Sequence, residues 1–122
     1  MFSVIFPGQG SQSVGMGKEF YDKYDIVKSL FKEADEALNT PLSKIILEGP
    51  KEELDLTANT QPAIFLISYS IFQVIKQEFN IDLTKAKFFT FIVRYLNNLV
   101  SIDSFFSNSS ITLPLPFNLK CK

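Results

Sequence analysis

A run of main-chain donors flanked by glycines is the feature of this sequence best suited to chemistry. In Phe6-Pro7-Gly8-Gln9-Gly10-Ser11-Gln12, Gly8 and Gly10 can take φ > 0 without a Cβ penalty and let backbone N–H groups approach a ligand closely. The β-branched and aromatic residues of Ser3-Val4-Ile5-Phe6 precede the loop, and Gly15-Met16-Gly17-Lys18 leads into a helical pattern, so the order is strand, loop, helix. A helix beginning just beyond such a loop adds the positive end of its dipole, which suits an anion, a phosphate or a developing oxyanion. Two glycines and a proline after a strand also make an ordinary turn, and the residues by themselves leave both readings open. Two phosphate motifs are excluded. Ser13 stands where G-x-G-x-x-G needs its third glycine, and Gly17-Lys18 is followed by Glu19 where a Walker loop needs Ser or Thr.

The 122 residues contain no histidine. Imidazole is the usual general base for a serine or cysteine nucleophile and the commonest metal ligand, so these residues cannot complete a Ser-His centre or a histidine-ligated metal site. Carboxylates remain as possible acids or bases. A net charge of −1 gives no basic footprint for nucleic acid. The single cysteine, Cys121, cannot form an intramolecular disulfide and fits a reducing compartment. The N-terminus has no basic region before its apolar residues, which argues against a signal peptide. The longest apolar run, residues 63–67, is far too short to span a bilayer. These features lead us to expect a cytoplasmic protein with no membrane partner and no cofactor.

The length suits one domain with a modest core, or part of a larger domain. Phe20, Tyr24, Val27, Phe31, Ala34 and Leu38 recur at spacings of four and three, widened by Ile26 and Leu30. This predicts one helix of about five turns with a buried stripe and a solvated charged face. Asn39 and Thr40 before Pro41 supply its stop. A short helix with Leu42, Ile45 and Ile46 on one side is expected over residues 42–47, and Pro50-Lys51-Glu52-Glu53 reads as the first turn of another. Asn59 or Thr60 can cap a helix starting near Pro62. That helix continues to Phe79 and is apolar on nearly every side, so it needs more covering layers than 122 residues readily provide.

After Lys87 the character changes: 21 of the 25 charged residues precede Phe88, and no glycine follows Gly49. Phe88-Phe89-Thr90-Phe91-Ile92-Val93 has strand propensity. Beyond it, Pro114 and Pro116 break a Ser- and Asn-rich stretch in which no start, stop and stripe agree.

Residues 2–89 resemble the N-terminal part of the malonyl-CoA:acyl carrier protein transacylases. Three blocks carry the resemblance: the Phe6 to Gln12 heptapeptide with Gly15-Met16-Gly17, Gly49-Pro50 before Glu52-Glu53-Leu54, and Leu56-Thr57 leading to Thr60-Gln61-Pro62-Ala63. The resemblance implies an α/β fold, the start of an α/β hydrolase-like large subdomain, with a ferredoxin-like small subdomain to which nothing here corresponds. It implies transfer of malonyl from coenzyme A to acyl carrier protein through an acylated serine, with a distant histidine as base. Gln9 would give its backbone N–H to the oxyanion hole, and Gln61 would lie near the nucleophile and the substrate. A donor aimed at charge that develops only in the transition state is where catalysis gains most.

Where the resemblance would continue into Gly-His-Ser-Leu-Gly, the chain reads Thr90-Phe91-Ile92-Val93-Arg94. A nucleophile elbow needs glycines around its serine, so nucleophile and base are both absent, and Arg94 has no matching flanks for the family's carboxylate-binding arginine. The expectation is therefore a partial acyltransferase domain at residues 1–89 and an unrelated tail at 90–122, from a disrupted reading frame or an erroneous gene model, inactive by itself. Two other readings remain: a coenzyme A or acyl-carrier binding module without chemistry, and one chain of a split acyltransferase completed by a partner.

Overall fold

The computed structural model describes residues 3–82 and 88–91, with side chains described from residue 6 to residue 82. Arg94, Cys121 and the prolines at 114 and 116 lie outside the described residues. Two strands, β1 (Ser3–Phe6) and β2 (Phe88–Phe91), form a parallel pair in which Ser3 faces Phe88 and Phe6 faces Phe91. The expected strand at residues 88–93 is thus present over its described part. A parallel pair requires a crossover. Its described residues form five helices: α1 (Lys18–Lys23), α2 (Asp25–Leu38), α3 (Leu42–Glu48), α4 (Lys51–Leu54) and α5 (Thr57–Glu78).

The core lies where α2, α3 and α4 meet α5. Val27, Leu30, Phe31 and Ala34 of α2 pack with Leu42, Ile45 and Ile46 of α3, Leu54 of α4, and Ala63, Leu66, Tyr69 and Val74 of α5. The predicted stripe on α2 and the predicted apolar face of α3 are the faces that are buried. Burying side chains of this size contributes about 1.5–3 kcal/mol each before conformational entropy is subtracted. Asn39 ends α2 in the left-handed region at φ 48°, with its N–H donating to the carbonyls of Asp35 and Glu36. The stop expected there is the one observed.

Three expectations are corrected. The first is the single helix over residues 20–38, which breaks at Tyr24, an extended residue at φ −118° and ψ 120°. Packing explains the break. The rings of Tyr21 and Phe31 meet with centroids 5.1 Å apart, whereas ten residues of straight helix would separate their backbones by about 15 Å. Folding α1 back on α2 brings them together, and the Tyr24 ring stacks on Phe20 at 6.0 Å.

Second, the last long helix starts at Thr57, and neither Asn59 nor Thr60 caps it. Their side chains reach back to α4 instead. Asn59 Nδ2 donates to the Glu53 carbonyl at 2.9 Å, and Thr60 Oγ1 to the Leu54 carbonyl at 2.6 Å. Carbonyls at the end of a helix have no partner within it, so these bonds join α4 to α5. Pro62 then falls inside the helix and forgoes a bond to the carbonyl of exposed Ala58, where water can replace the missing donor.

Third, Asp35 does not belong to a purely solvated face. It is half-buried, and its carboxylate accepts the Ser43 N–H at 2.8 Å, capping the start of α3 from a different helix.

Candidate functional site

The loop between β1 and α1 is held by its own polar groups and by three anchors in the helical layer. Within it, the Gly8 carbonyl accepts from Ser11 twice, from the N–H at 3.2 Å and from Oγ at 2.7 Å. The Gly10 N–H donates to Gln12 Oε1 at 2.8 Å. Gly10 sits at φ +104°, a conformation that an L side chain rarely adopts.

The anchors follow in chain order. Gln12 Nε2 donates to Asp55 Oδ1 at 3.0 Å, 43 residues away in sequence. The Gly15 N–H donates to the Ile46 carbonyl at 2.7 Å, tying the loop to α3. Gly17, at φ +72°, lies so close to α5 that a Cβ there would run into Ile67 Cδ1. Val14 completes the contact, since a Cβ on Gly49 would be 3.3 Å from its Cγ2.

Gln9 lies at the exposed tip of this construction. Its N–H donates to no group among the described residues, while those of Gly10 and Ser11 are engaged. Gln61 is half-buried in the second turn of α5. No hydrogen bond joins Gln9 to Gln61 among the described residues; the loop reaches the end of α4 through Gln12 and Asp55, and α5 itself where Gly17 meets Ile67. The expected dipole behind the loop is weak, because α1 has only six residues and its cap, Gly17, is eight positions beyond Gln9.

Asp55 escaped the sequence reading altogether. Its carboxylate pairs with Lys51 Nζ on one oxygen and with Gln12 on the other. The Lys51 ammonium and then the Gln12 amide hold the Asp55 carboxyl below the usual carboxylate range. No local pattern joins positions 12 and 55, so only the folded chain could show the pairing. Among the described residues no group of three or more His, Cys, Asp or Glu could hold a metal ion, and no helix is long and apolar enough to cross a membrane.

The glycine-held loop, its open Gln9 donor and the helices behind it occupy residues that match the model of the acyl transferase domain, from 3 to 78. The chain belongs to this family. A malonyl CoA-acyl carrier protein transacylase of Bacillus subtilis (strain 168) is 52% identical over 75 residues, covering 62% of this chain and 24% of the relative. An acyl-carrier-protein-S-malonyltransferase from Bartonella henselae is 41% identical and superposes with a TM-score of 0.67 over 73% of this chain and 29% of that one. A malonyl-transacylase solved in complex with its type II PKS acyl-carrier protein is 38% identical, with a TM-score of 0.61 over 63% of this chain and 25% of its own. The chain thus spans about a quarter of the length of the curated relatives it matches. Its three sequence blocks all fall within the matched residues.

Proposed function

We propose that residues 1–89 form the opening part of the large, α/β hydrolase-like subdomain of a cytoplasmic malonyl-CoA:acyl carrier protein transacylase, and that the Gln9 N–H is one donor of its oxyanion hole. The open Gln9 N–H carries this reading. It is a main-chain donor at the exposed tip of the loop, followed by two donors that are already engaged, within the segment that matches the acyl transferase domain. Such a donor needs no reorganisation when charge appears on the acyl oxygen, and removing one typically costs about 10²–10³ in kcat. Gln61 would lie on the substrate side of the same site. Malonyl-CoA and acyl carrier protein are the proposed substrates and partners.

The 122 residues supply neither the histidine base nor a serine in a Gly-x-Ser-x-Gly turn, so we propose further that they transfer no malonyl unaided and that residues 90–122 are foreign to the domain in sequence, although Thr90 and Phe91 pair with β1. Incubation with malonyl-CoA and acyl carrier protein should leave the polypeptide unmodified by intact mass; a malonyl adduct on one of its serines would refute this. A Gly-His-Ser-Leu-Gly coding sequence in another frame beyond Phe89 is the expected origin of the departure, and its absence there would remove that explanation.

The role of Gln9 is tested by grafting residues 3–78 in place of the matching segment of the Bacillus subtilis transacylase. The graft should transfer malonyl. Gln9→Ala, which keeps the N–H, should retain most of kcat, and Gln9→Pro, which deletes the N–H, should lose about 10²–10³-fold. Equal activity in the two variants would exclude the donor role.

A further inference from the structure

We propose that Gln12 is the positioning residue of the loop: its carboxamide ties the Gly10 N–H to the Asp55 carboxylate and so fixes the Gln9–Gly10 peptide, leaving Gln9 as the open donor. The inference rests on the oxyanion reading of Gln9 for its functional meaning, but the bridge itself stands on geometry. Gln12 is the only residue of the loop whose side chain bonds both to the loop's backbone and to another element, among the described residues: it accepts from Gly10 at 2.8 Å and donates to Asp55 at 3.0 Å. A carboxamide is the group this task needs, since it accepts on one atom and donates on the other. A carboxylate at position 12 could accept from Gly10 but would face Asp55 with like charge.

The bridge has two consequences. The peptide unit is planar, so turning the Gly10 N–H toward Gln12 points the Gln9 carbonyl the opposite way and sets the plane on one side of the Gln9 Cα. On the other side, Ser11 grips the Gly8 carbonyl with its N–H and Oγ and fixes the Gly8–Gln9 plane. Both peptides around Gln9 are thereby held, and the hold is fastened to the helical layer through Asp55, itself paired with Lys51. Lys51 is the charged group that faces Asp55, and Gln12 is the other polar one. The Gly10 N–H is spent on this bridge. The loop therefore presents Gln9, without the Gly10 amide beside it, to a reacting oxygen.

Amide NMR on the full chain tests the bridge without any reaction, so its outcome is separate from that of the graft. Gln12→Ala should speed exchange of the Gly10 amide roughly five-fold, the factor that matches a hydrogen bond of about 1 kcal/mol. The Gln9 amide order parameter should fall from the rigid range near about 0.85 toward the flexible range below about 0.6. Asp55→Ala should produce a smaller change of the same kind, and none once Gln12 is already Ala, because the two residues act in series. The double variant Gln12→Glu with Asp55→Asn exchanges donor and acceptor and should recover slow exchange that Gln12→Glu alone loses. Core amides such as Ala34 should stay unchanged, separating a local effect from unfolding. If Gln12→Ala leaves Gly10 and Gln9 unaltered, or if the effects of Gln12→Ala and Asp55→Ala simply add, the positioning role is wrong. Should Gln12→Ala fail to fold, Asp55→Ala in the intact loop decides by itself: an unchanged Gly10 amide overturns the proposal, and an altered one supports it.

Discussion

The loop that carries Gln9 and the helices behind it are built from opposite materials. The loop is polar and largely exposed, and it keeps its shape through named hydrogen bonds and a few glycines. The helical layer has side-chain bonds between its helices too, such as Thr60 to the Leu54 carbonyl, but it keeps its shape chiefly by burying apolar side chains around α5. Backbone geometry can aim a donor to within a fraction of an ångström, but a chain of exposed hydrogen bonds contributes little net stability. The positioning must come from the loop and the rigidity from the layer. Their meeting points are the Gln12–Asp55 bond, the Gly15–Ile46 bond and the contact of Gly17 with Ile67.

If that division holds, the largest losses come from the layer. Phe31 is 1% exposed and touches the Tyr21 ring, so Phe31→Ala should cost about 3–5 kcal/mol. Urea denaturation followed by circular dichroism measures it. A loss below about 1 kcal/mol would mean that the core is not organised around this ring.

The junction itself should respond next. Gly15 and Gly17 both have left-handed backbone, at φ +83° and +72°, but a Cβ on Gly15 meets nothing within 4 Å whereas one on Gly17 strikes Ile67. Gly15→Ala should therefore cost the conformational strain alone, about 1–2 kcal/mol. Gly17→Ala should cost about 1 kcal/mol more, the low end for overpacking, because the end of a half-buried isoleucine can partly turn away. Trimming Ile67 to Val in the Gly17→Ala background should recover part of the difference. Equal costs at the two glycines would show that the loop does not lean on α5.

Polar groups inside the layer provide the third comparison. Thr60 is fully buried with its hydroxyl bonded to the Leu54 carbonyl, and Ser70 is buried with no partner for its Oγ among the described residues. Thr60→Val keeps the shape and strands that carbonyl, at about 1–3 kcal/mol. Ser70→Ala removes an unpaired hydroxyl and should be neutral or stabilising by up to about 1 kcal/mol. Thermal melts of the two variants should shift in opposite directions, or only the first should shift.

The layer was the more legible region. Spacing alone located the buried stripe of α2 and the buried face of α3, because apolar periodicity is a local record of what a helix must hide; on α5, expected to be buried on nearly every side, Phe65, Ile67, Ile71, Phe72 and Ile75 are half-buried. It could not show the break at Tyr24, where the deciding contact joins residues 21 and 31 in space, nor that Asn59 and Thr60 would serve the end of α4 instead of the start of α5. Glycine content located the loop. It did not reveal which glycine needed positive φ, and it gave no hint of Asp55, because a carboxamide and a carboxylate 43 residues apart form no pattern that sequence can display.

The smallest effect is the one that reports on the junction most directly. Asp55 has its pKa lowered in the folded chain, first by the bond from Lys51 and then by that from Gln12. A depressed folded pKa means that the unfolded chain takes up the proton first as pH falls. The carboxylate thus contributes its stability above the ordinary carboxylate range and loses it as pH drops through the lower, folded value. Solvent screening keeps such an exposed pair weak, so the signal is a change in slope. Denaturation midpoints measured from neutral pH into that acid window should fall less steeply for Asp55→Asn than for the natural chain, and Lys51→Met should flatten the same limb. If Gln12→Ala also flattens it, though Gln12 carries no charge, the loop and the layer are coupled through Asp55. A slope identical to that of the natural chain would mean that the loop is held at its other two anchors.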